Sequence, residues 1–390
     1  MENFINEADK YLIGNYARYP IAFEKGEGVY LYDIKGKKYL DMLAGIAVNT
    51  LGYSHPKLTE AICNQAKKVL HTSNLFHILP QIEVAKILVE NSLKDGKVFF
   101  CNSGAEANET AIKLVRKYFY DKKQPHKYEI ITFTGGFHGR TIGSLTATAQ
   151  PKYHEGFKPL LAGIKYAEFN NTESLKNAIT KNTAGIMFEL IQGEGGVNPI
   201  DNSFLEEIKN IAKENELLIV IDEVQTGIGR TGKFFAYQHY DLEPDIITSA
   251  KGLGSGIPVG AIIAKEEIAK SFTPGTHGST FGGNFLAMVA SKVVLEEITK
   301  KEFLNKVLEK GIYLQESIKS IGLKPKGKGL MVGVDLEDNL DAKEISKKCL
   351  ENGLIIGTAG KNTLRFVPPL IINKKEIDEG MNILKEVLKQ

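Results

Sequence analysis

The chain has 390 residues, 43% of them hydrophobic, and a formal net charge of +2. That length supports a large core divided between two or three lobes, and a near-neutral balance without a run of basic residues gives no field for nucleic acid. No apolar run reaches membrane-spanning length, and Cys63, Cys101 and Cys349 are too few and too far apart for a disulfide framework or a zinc site.

The opening "MENFINEADKYLIGNY" is polar and acidic where a secretory leader needs a basic and then an apolar segment, so a cytoplasmic protein is expected. The three cysteines are expected to be buried thiols, the usual environment of a free cysteine. "GVYLYDIKGKKYLDM" alternates around a turn at Asp33 to Gly36 and predicts a β-hairpin. From Pro56 onward, helical stretches near Leu58 to Leu70, Gln81 to Ser92 and Glu106 to Tyr120 interleave with short apolar strands at "KVFFC", "YEIITF", "AGIMFEL", "LLIVID" and "DIITSA". This alternation predicts an α/β fold with a mostly parallel sheet covered by helices on both faces. After Asn284 one long helix leads to "GLMVGVDL", "GLIIGT" and "TLRFV", a smaller α/β set before the last helix. The expected organisation is an N-terminal segment, 1–50, that joins a small lobe, a large ligand-binding domain, 51–285, and a C-terminal small domain, 286–390.

In open parallel sheets ligands gather beyond the carboxyl ends of the strands, so polar residues that end apolar runs are the informative ones. "LLIVIDEVQTG" delivers Asp222 after an apolar run, and "DIITSAKGLGSG" delivers Lys251 at the mouth of a glycine-rich turn. An ammonium at such a strand end is costly to desolvate unless it is paired or neutral. "FFCNSGAEANETAIK" runs from a strand through Ser103, Gly104 and Ala105 into a helix, whose free amides and dipole suit a phosphate. "TFTGGFHGRT" ends another strand with Phe137, able to stack on a planar ring, and Arg140, a fork for a carboxylate. "ELIQGEGG" adds Glu189 and Glu194 at a fourth strand end.

Taken singly, these residues also fit plainer roles: a buried salt bridge for Asp222 and Lys251, a helix cap for Ser103, core packing for Phe137, a surface ion pair for Arg140. Together they meet the needs of pyridoxal phosphate: backbone donors for its phosphate, an aromatic for its ring, a carboxylate for its pyridine nitrogen and an amine to condense with its aldehyde. The non-enzymatic alternative is a nucleotide-binding module built on "KGLGSG". There the lysine precedes the glycines, contrary to a P-loop, and no GxGxxG follows the first strand.

With these residues in place, the chain resembles the class III, or ω-amino acid, pyridoxal-phosphate aminotransferases of fold type I. The resemblance runs from "NYARYPIAFEKGEGVYLYDIKGKKYLDMLAGIAVNTLGYSHP" through "NSGAEANETAIK", "FHGRT", "QGEGG", "DEVQTGIGRTG" and "SAKGLGSGIPVGA" to "GSTFGGN" and "NTLRFVPPL". It implies Lys251 as the amine that carries the cofactor and shuttles a proton, Asp222 as the partner of the pyridine nitrogen, and Gln225 facing the phenolic oxygen. Phe137 would stack on the ring, and Ser103, Gly104 and Ala105 would hold the phosphate. It implies a homodimer with shared sites, in which Thr280 reaches the neighbouring subunit's phosphate and Ser279 lies beside the substrate.

By the same resemblance Arg140 would bind a substrate carboxylate, Arg365 the α-carboxylate of glutamate, and Glu194 would cover Arg365 when the donor offers it no charge. Tyr16 and Ile46 are implied near the substrate, Ile46 standing where ornithine-specific members carry a tyrosine. The expected reaction is ping-pong transfer of the δ-amino group of N2-acetyl-L-ornithine to 2-oxoglutarate, giving N-acetylglutamate 5-semialdehyde and glutamate, as in arginine biosynthesis. Free ornithine, succinylornithine and γ-aminobutyrate are the alternative donors. No metal, nucleic acid or membrane partner is expected.

Overall fold

Seven strands pair in the order Gly96–Cys101, Gly260–Lys265, Ile246–Ser249, Leu218–Asp222, Thr183–Phe188, Glu129–Phe133 and Ile164–Ala167. The structure, a computed structural model, describes residues 3–389; residues 1, 2 and 390, which the expected terminal boundaries include, lie outside the described residues. Gly260–Lys265 runs antiparallel to both neighbours, and every other pairing is parallel. Two members have no counterpart among the apolar runs picked out above. Ile164–Ala167 is an edge strand with two exposed residues at its centre, and Gly260–Lys265 follows a glycine-rich turn that blurs its start.

All five residues of Leu218–Asp222 are buried, which follows from helices on both faces. Successive side chains point to opposite sides. Ile219 and Ile221 enter a core with Leu88, Phe133 and Phe188, while Leu218 and Val220 enter the other with Ala107, Ala111 and Val115 of the helix Gly104–Asp121. A sheet clad on both sides exposes only its strand ends, and that is where polar groups collect.

The smaller lobe draws on both ends of the chain. Strands Phe23–Glu27, Tyr30–Asp33 and Lys38–Asp41 form a meander whose last member pairs in parallel with Leu354–Ile355. Beside it, Pro325–Lys328, Met331–Asp335, Thr363–Phe366 and Gly357–Ala359 make an antiparallel sheet. Leu40 and Met42 share one core with Val332, Phe366 and Leu384. The long helix expected after Asn284 is two, Phe285–Ile298 and Lys301–Ser320, parted at Thr299 and Lys300. Asn284 caps the first by accepting the Ala287 amide at 3.0 Å.

The cysteine expectation needs one correction. Cys101 and Cys349 are buried, but Cys63 is exposed, because it sits on the outer face of a helix, Pro56–Ala66, whose buried residues are Leu58 and Gln65. Among the described residues no helix is long and apolar enough to cross a membrane.

A buried cation joins the lobes. Arg230 is 2% exposed, and its guanidinium donates to the carbonyls of Leu330 at 3.0 Å and Pro368 at 2.5 Å. Burial pulls its pKa down to about 9, against the pull of the Asp41 carboxylate.

Under the active face lies Glu223, fully buried, accepting from the Thr226 hydroxyl at 2.6 Å and the Tyr237 amide at 2.8 Å. Burial pushes its carboxyl up to about 7 despite these donors. A carboxyl whose folded pKa exceeds its unfolded value binds its proton more tightly in the native state, so raising the pH from about 4.5 through about 7 weakens the fold. Glu223→Gln removes that dependence. Thermal midpoints of variant and wild type should therefore diverge in the variant's favour as pH rises from about 4.5 to about 7 and run parallel above it, and curves that stay parallel throughout would count against the assignment.

Candidate active site

The strand ends open into a cavity of about 440 Å³ whose walls include Ser103, Gly104, Ala105, Phe137, Arg140, Asp222, Gln225 and Lys251. A second hollow of about 600 Å³ lies under the N-terminal segment beside Tyr16 and Leu350. It contains none of the strand-end groups, so the chemistry belongs to the first.

Asp222 ends its strand 3% exposed. Its Oδ2 accepts from Asn108 Nδ2 at 2.8 Å and His138 Nδ1 at 2.8 Å, and its Oδ1 accepts the Val224 amide at 3.0 Å. Three donors make a buried carboxylate tolerable, and Oδ1 retains capacity for one more donor. Burial works against a charged His138, but the Asp222 contact outweighs it and raises the imidazole pKa. Glu189 accepts the amides of Phe137 at 3.0 Å and Gly193 at 3.1 Å. Burial, followed by the neighbouring Asp222 charge, raises its carboxyl to about 7.

Lys251 begins the turn after the adjacent strand with φ +45°, a left-handed conformation. Burial lowers its amine pKa, and Glu194 pulls the other way. A buried amine with a lowered pKa is closer to the neutral form a nucleophile needs. Arg365, 3% exposed, pairs with Glu194 through Nη1 and lies 3.5 Å from Gln225 Oε1. Its Nε is buried and has no acceptor among the described residues. Burial opposes the Glu194 charge, yet the guanidinium prevails and holds the carboxyl below its usual range.

At the helix start, Ser103 Oγ accepts the Glu106 amide at 3.2 Å. Among the described residues the Gly104 and Ala105 amides meet no acceptor. A Cβ at Gly104 would stand 2.7 Å from Val224 Cγ1, so only glycine fits. Arg140 is exposed and lies over the Tyr153 ring at 3.9 Å, and Phe137 meets that ring edge-on at 6.0 Å.

Six residues named from the sequence lie off the cavity wall; two of them, Arg365 and its partner Glu194, adjoin it through Gln225. Tyr16 lines the N-terminal hollow and is 68% exposed. Ile46 is 41% exposed, and it is Val48, two residues on, that reaches the wall. Thr280 is exposed. Ser279 adjoins the wall through Asn102, whose Nδ2 donates to its Oγ at 3.2 Å. Sequence reasoning missed Asn108, His138, Tyr153 and Val48. The available signals were the i, i+4 spacing of Asn108 from Gly104, which stacks them on one helix face, and the place of His138 between Phe137 and Gly139.

Unpaired helix amides, a cavity walled by Phe137, a carboxylate with a free acceptor site and a buried amine together fit pyridoxal phosphate. The sequence pattern of the family described as "Aminotransferase class-III" matches residues 13–388. The chain belongs to the class III aminotransferases. Class III aminotransferases of similar sequence include the acetylornithine aminotransferase of Aquifex aeolicus, 53% identical across 97% of this chain and 100% of that one. That of Caldanaerobacter subterraneus is 54% identical across 98% of each chain. Among solved structures, the acetylornithine aminotransferase of Elizabethkingia anophelis superposes with a TM-score of 0.89 at 33% identity, covering 100% of this chain and 99% of that one. The ornithine aminotransferase of Toxoplasma gondii gives 0.94 at 29% identity, covering 100% and 94%. The fold is fold type I, and the class III aminotransferases depend on pyridoxal phosphate.

The Asn108 contacts give a direct test. Asn108→Leu keeps the side-chain volume but strips donors from Asp222 Oδ2 and from the His138 carbonyl, which Nδ2 also meets at 2.6 Å. A buried carbonyl left without its side-chain donor and a buried carboxylate reduced to two donors should cost the apoprotein at least about 2 kcal/mol by denaturant titration. A loss below ~0.5 kcal/mol would mean that the Asp222 carboxylate does not depend on this network.

Proposed function

We propose that the enzyme moves the δ-amino group of N2-acetyl-L-ornithine to 2-oxoglutarate by a two-stage, ping-pong transamination. The observation that carries the reading is the Arg365–Glu194 pair with its unsatisfied Nε. An enzyme that alternates between glutamate and a donor lacking a carboxylate at that end needs a cation that can be covered and uncovered. The printed names of the relatives favour acetylornithine as that donor.

Pyridoxal phosphate, when bound, supplies an aldehyde that captures the substrate amine and a ring that takes up the electron pair freed at the substrate carbon. The remaining work falls to side chains. Gly104 and Ala105 would hold the phosphate with their amides, Phe137 would cover one ring face, and Asp222 Oδ1 would accept from the pyridine N–H and keep the nitrogen protonated. Gln225 would meet the phenolic oxygen. Lys251, its amine pKa lowered by burial, would take the proton from the donor carbon and deliver it on the same face to the cofactor's former aldehyde carbon, a role typically worth about 10²- to 10⁴-fold. Arg140 would grip the donor carboxylate, with Tyr153 beneath it as a platform. Glu194 would cover Arg365 with acetylornithine bound and yield it to the α-carboxylate of glutamate.

A homodimer is part of this reading. Leu75, Phe76, Leu79 and Phe281 are 88%, 68%, 71% and 60% exposed, and the two segments that carry them are tied together by Asn74 Nδ2 donating to the carbonyls of Ser279 and Gly282. Apolar exposure on that scale favours a second subunit over this face. Ser279 and Thr280 would then serve the shared sites.

Borohydride reduction of the holoenzyme should fix the cofactor on Lys251, and Lys251→Ala should lose turnover while retaining the fold; a label on another lysine overturns the assignment. With 2-oxoglutarate as acceptor, acetylornithine should outperform free ornithine by at least about tenfold in kcat/KM, the scale of one unsatisfied buried polar group. A preference for ornithine or γ-aminobutyrate would leave the enzyme class intact and replace the donor. Glu194→Ala should favour glutamate over acetylornithine in single-turnover rates, whereas equal losses in both would make Glu194 a packing residue.

A further inference from the structure

Residues Ala44, Gly45, Ile46 and Ala47 have φ values of +52°, +61°, +66° and +62°. Four consecutive positive values, closed by Ala47 N–H to Leu43 O at 2.9 Å and Val48 N–H to Ala44 O at 2.8 Å, make one left-handed turn. Three of the four are not glycine, and one is β-branched, the residue type for which this region is a genuine outlier. Such a run persists only where its surroundings over-determine it.

The restraint is a small buried clamp. Asp41, 1% exposed, accepts the Leu43 and Ala44 amides on Oδ1 at 2.8 and 2.9 Å. Its Oδ2 accepts the Tyr53 hydroxyl at 2.5 Å, and that hydroxyl accepts Asn49 Nδ2 at 3.1 Å. The turn buries Ala44 and Ala47 and turns Ile46 outward. It ends at Val48, on the cavity wall. Immediately upstream, Met42 O accepts the Val367 amide at 2.9 Å, so the same segment abuts the strand that carries Arg365.

We propose that Asp41 and Tyr53 are positioning residues for donor selection: they hold the left-handed turn, with Ile46 turned outward, so that Val48 presents an apolar wall to the substrate end that distinguishes an acylated from a free α-amine. This rests on the donor reading above. An acetamide tolerates such a wall, whereas an α-ammonium would be desolvated against it without a partner. Neither residue touches the reacting atoms.

Two measurements on the holoenzyme test this. In Tyr53→Phe the clamp loses its outer hydrogen bond, so the ratio of kcat/KM for acetylornithine to that for ornithine should fall at least about fivefold. The glutamate half-reaction, which does not use this wall, should stay within about twofold. A loss shared equally by both donors and glutamate, or an unchanged ratio, overturns the proposal. Should Tyr53→Phe fail to fold, Asn49→Ala loosens the same hydroxyl, and the same ratio decides.

The second measurement does not depend on the donor. At a left-handed position glycine is the more stable choice, so Ile46→Gly should melt above Ile46→Ala, the reverse of the order at an ordinary helical site. Ile46→Ala melting higher overturns the constrained turn. If the wild type prefers another donor, the reading of function fails by itself, and the melting order together with the Tyr53→Phe ratio for that donor against ornithine still decides the role of the clamp.

Discussion

A carboxylate closed off from water at the end of a buried strand must be given donors, and the arrangement around Asp222 follows from that need. The helix Gly104–Asp121 reaches it with Asn108 and ends over the cavity with the free amides of Gly104 and Ala105. Four residues of helix separate the two, about 6 Å along the axis, so one rigid element sets the distance between a pair of unpaired amides and a carboxylate. His138 closes the other side from the loop that also carries Phe137 and Arg140. The Asp222 side chain is thus the point through which helix, loop and strand are aligned.

The charges above it are fewer than they look. Lys251 is drawn toward neutrality by burial, while Glu194 and Arg365 cancel each other. In a low-dielectric pocket such cancellation matters more than in water, because an unpaired buried charge is among the costliest features a protein can hold. Arg365 is held from outside by its strand and from inside by Glu194 and, at 3.5 Å, by Gln225, while among the described residues its Nε has no acceptor. That spare donor is what the proposed exchange of Glu194 for a substrate carboxylate would use.

Much of this was legible in the residues because a doubly covered strand is a continuous apolar run, and its last polar residue is conspicuous. The runs ending at Asp222 and before Lys251 needed no long-range information, nor did the small residues at Ser103 to Ala105. Asn108 and His138 were not legible, since what gives them meaning is a partner 114 and 84 residues away. The strand Gly260–Lys265 was hidden by the turn before it. The break at Thr299 and Lys300 carries neither glycine nor proline. The left-handed turn at Ala44 to Ala47 defies its own composition, with one glycine in four; the neighbouring Asp41 holds its first amides, and the Tyr53 hydroxyl, twelve residues on, holds that carboxylate.

The lobes meet at Arg230, whose guanidinium is sealed against the carbonyls of Leu330 and Pro368, about a hundred residues and more further along the chain. A charge of that kind cannot be buried halfway: until both carbonyls arrive it must stay hydrated, and the interface around it stays open. The Arg230 contacts span 100 and 138 residues of sequence, the kind of pairing whose loop-closure cost slows folding. The strand bearing Arg365 belongs to the lobe completed last by synthesis. A chain emerging from the ribosome exposes the helix Gly104–Asp121 and the strand of Asp222 well before the strand of Arg365 exists, so the two sides of the site are separated in the protein's own history each time it is made.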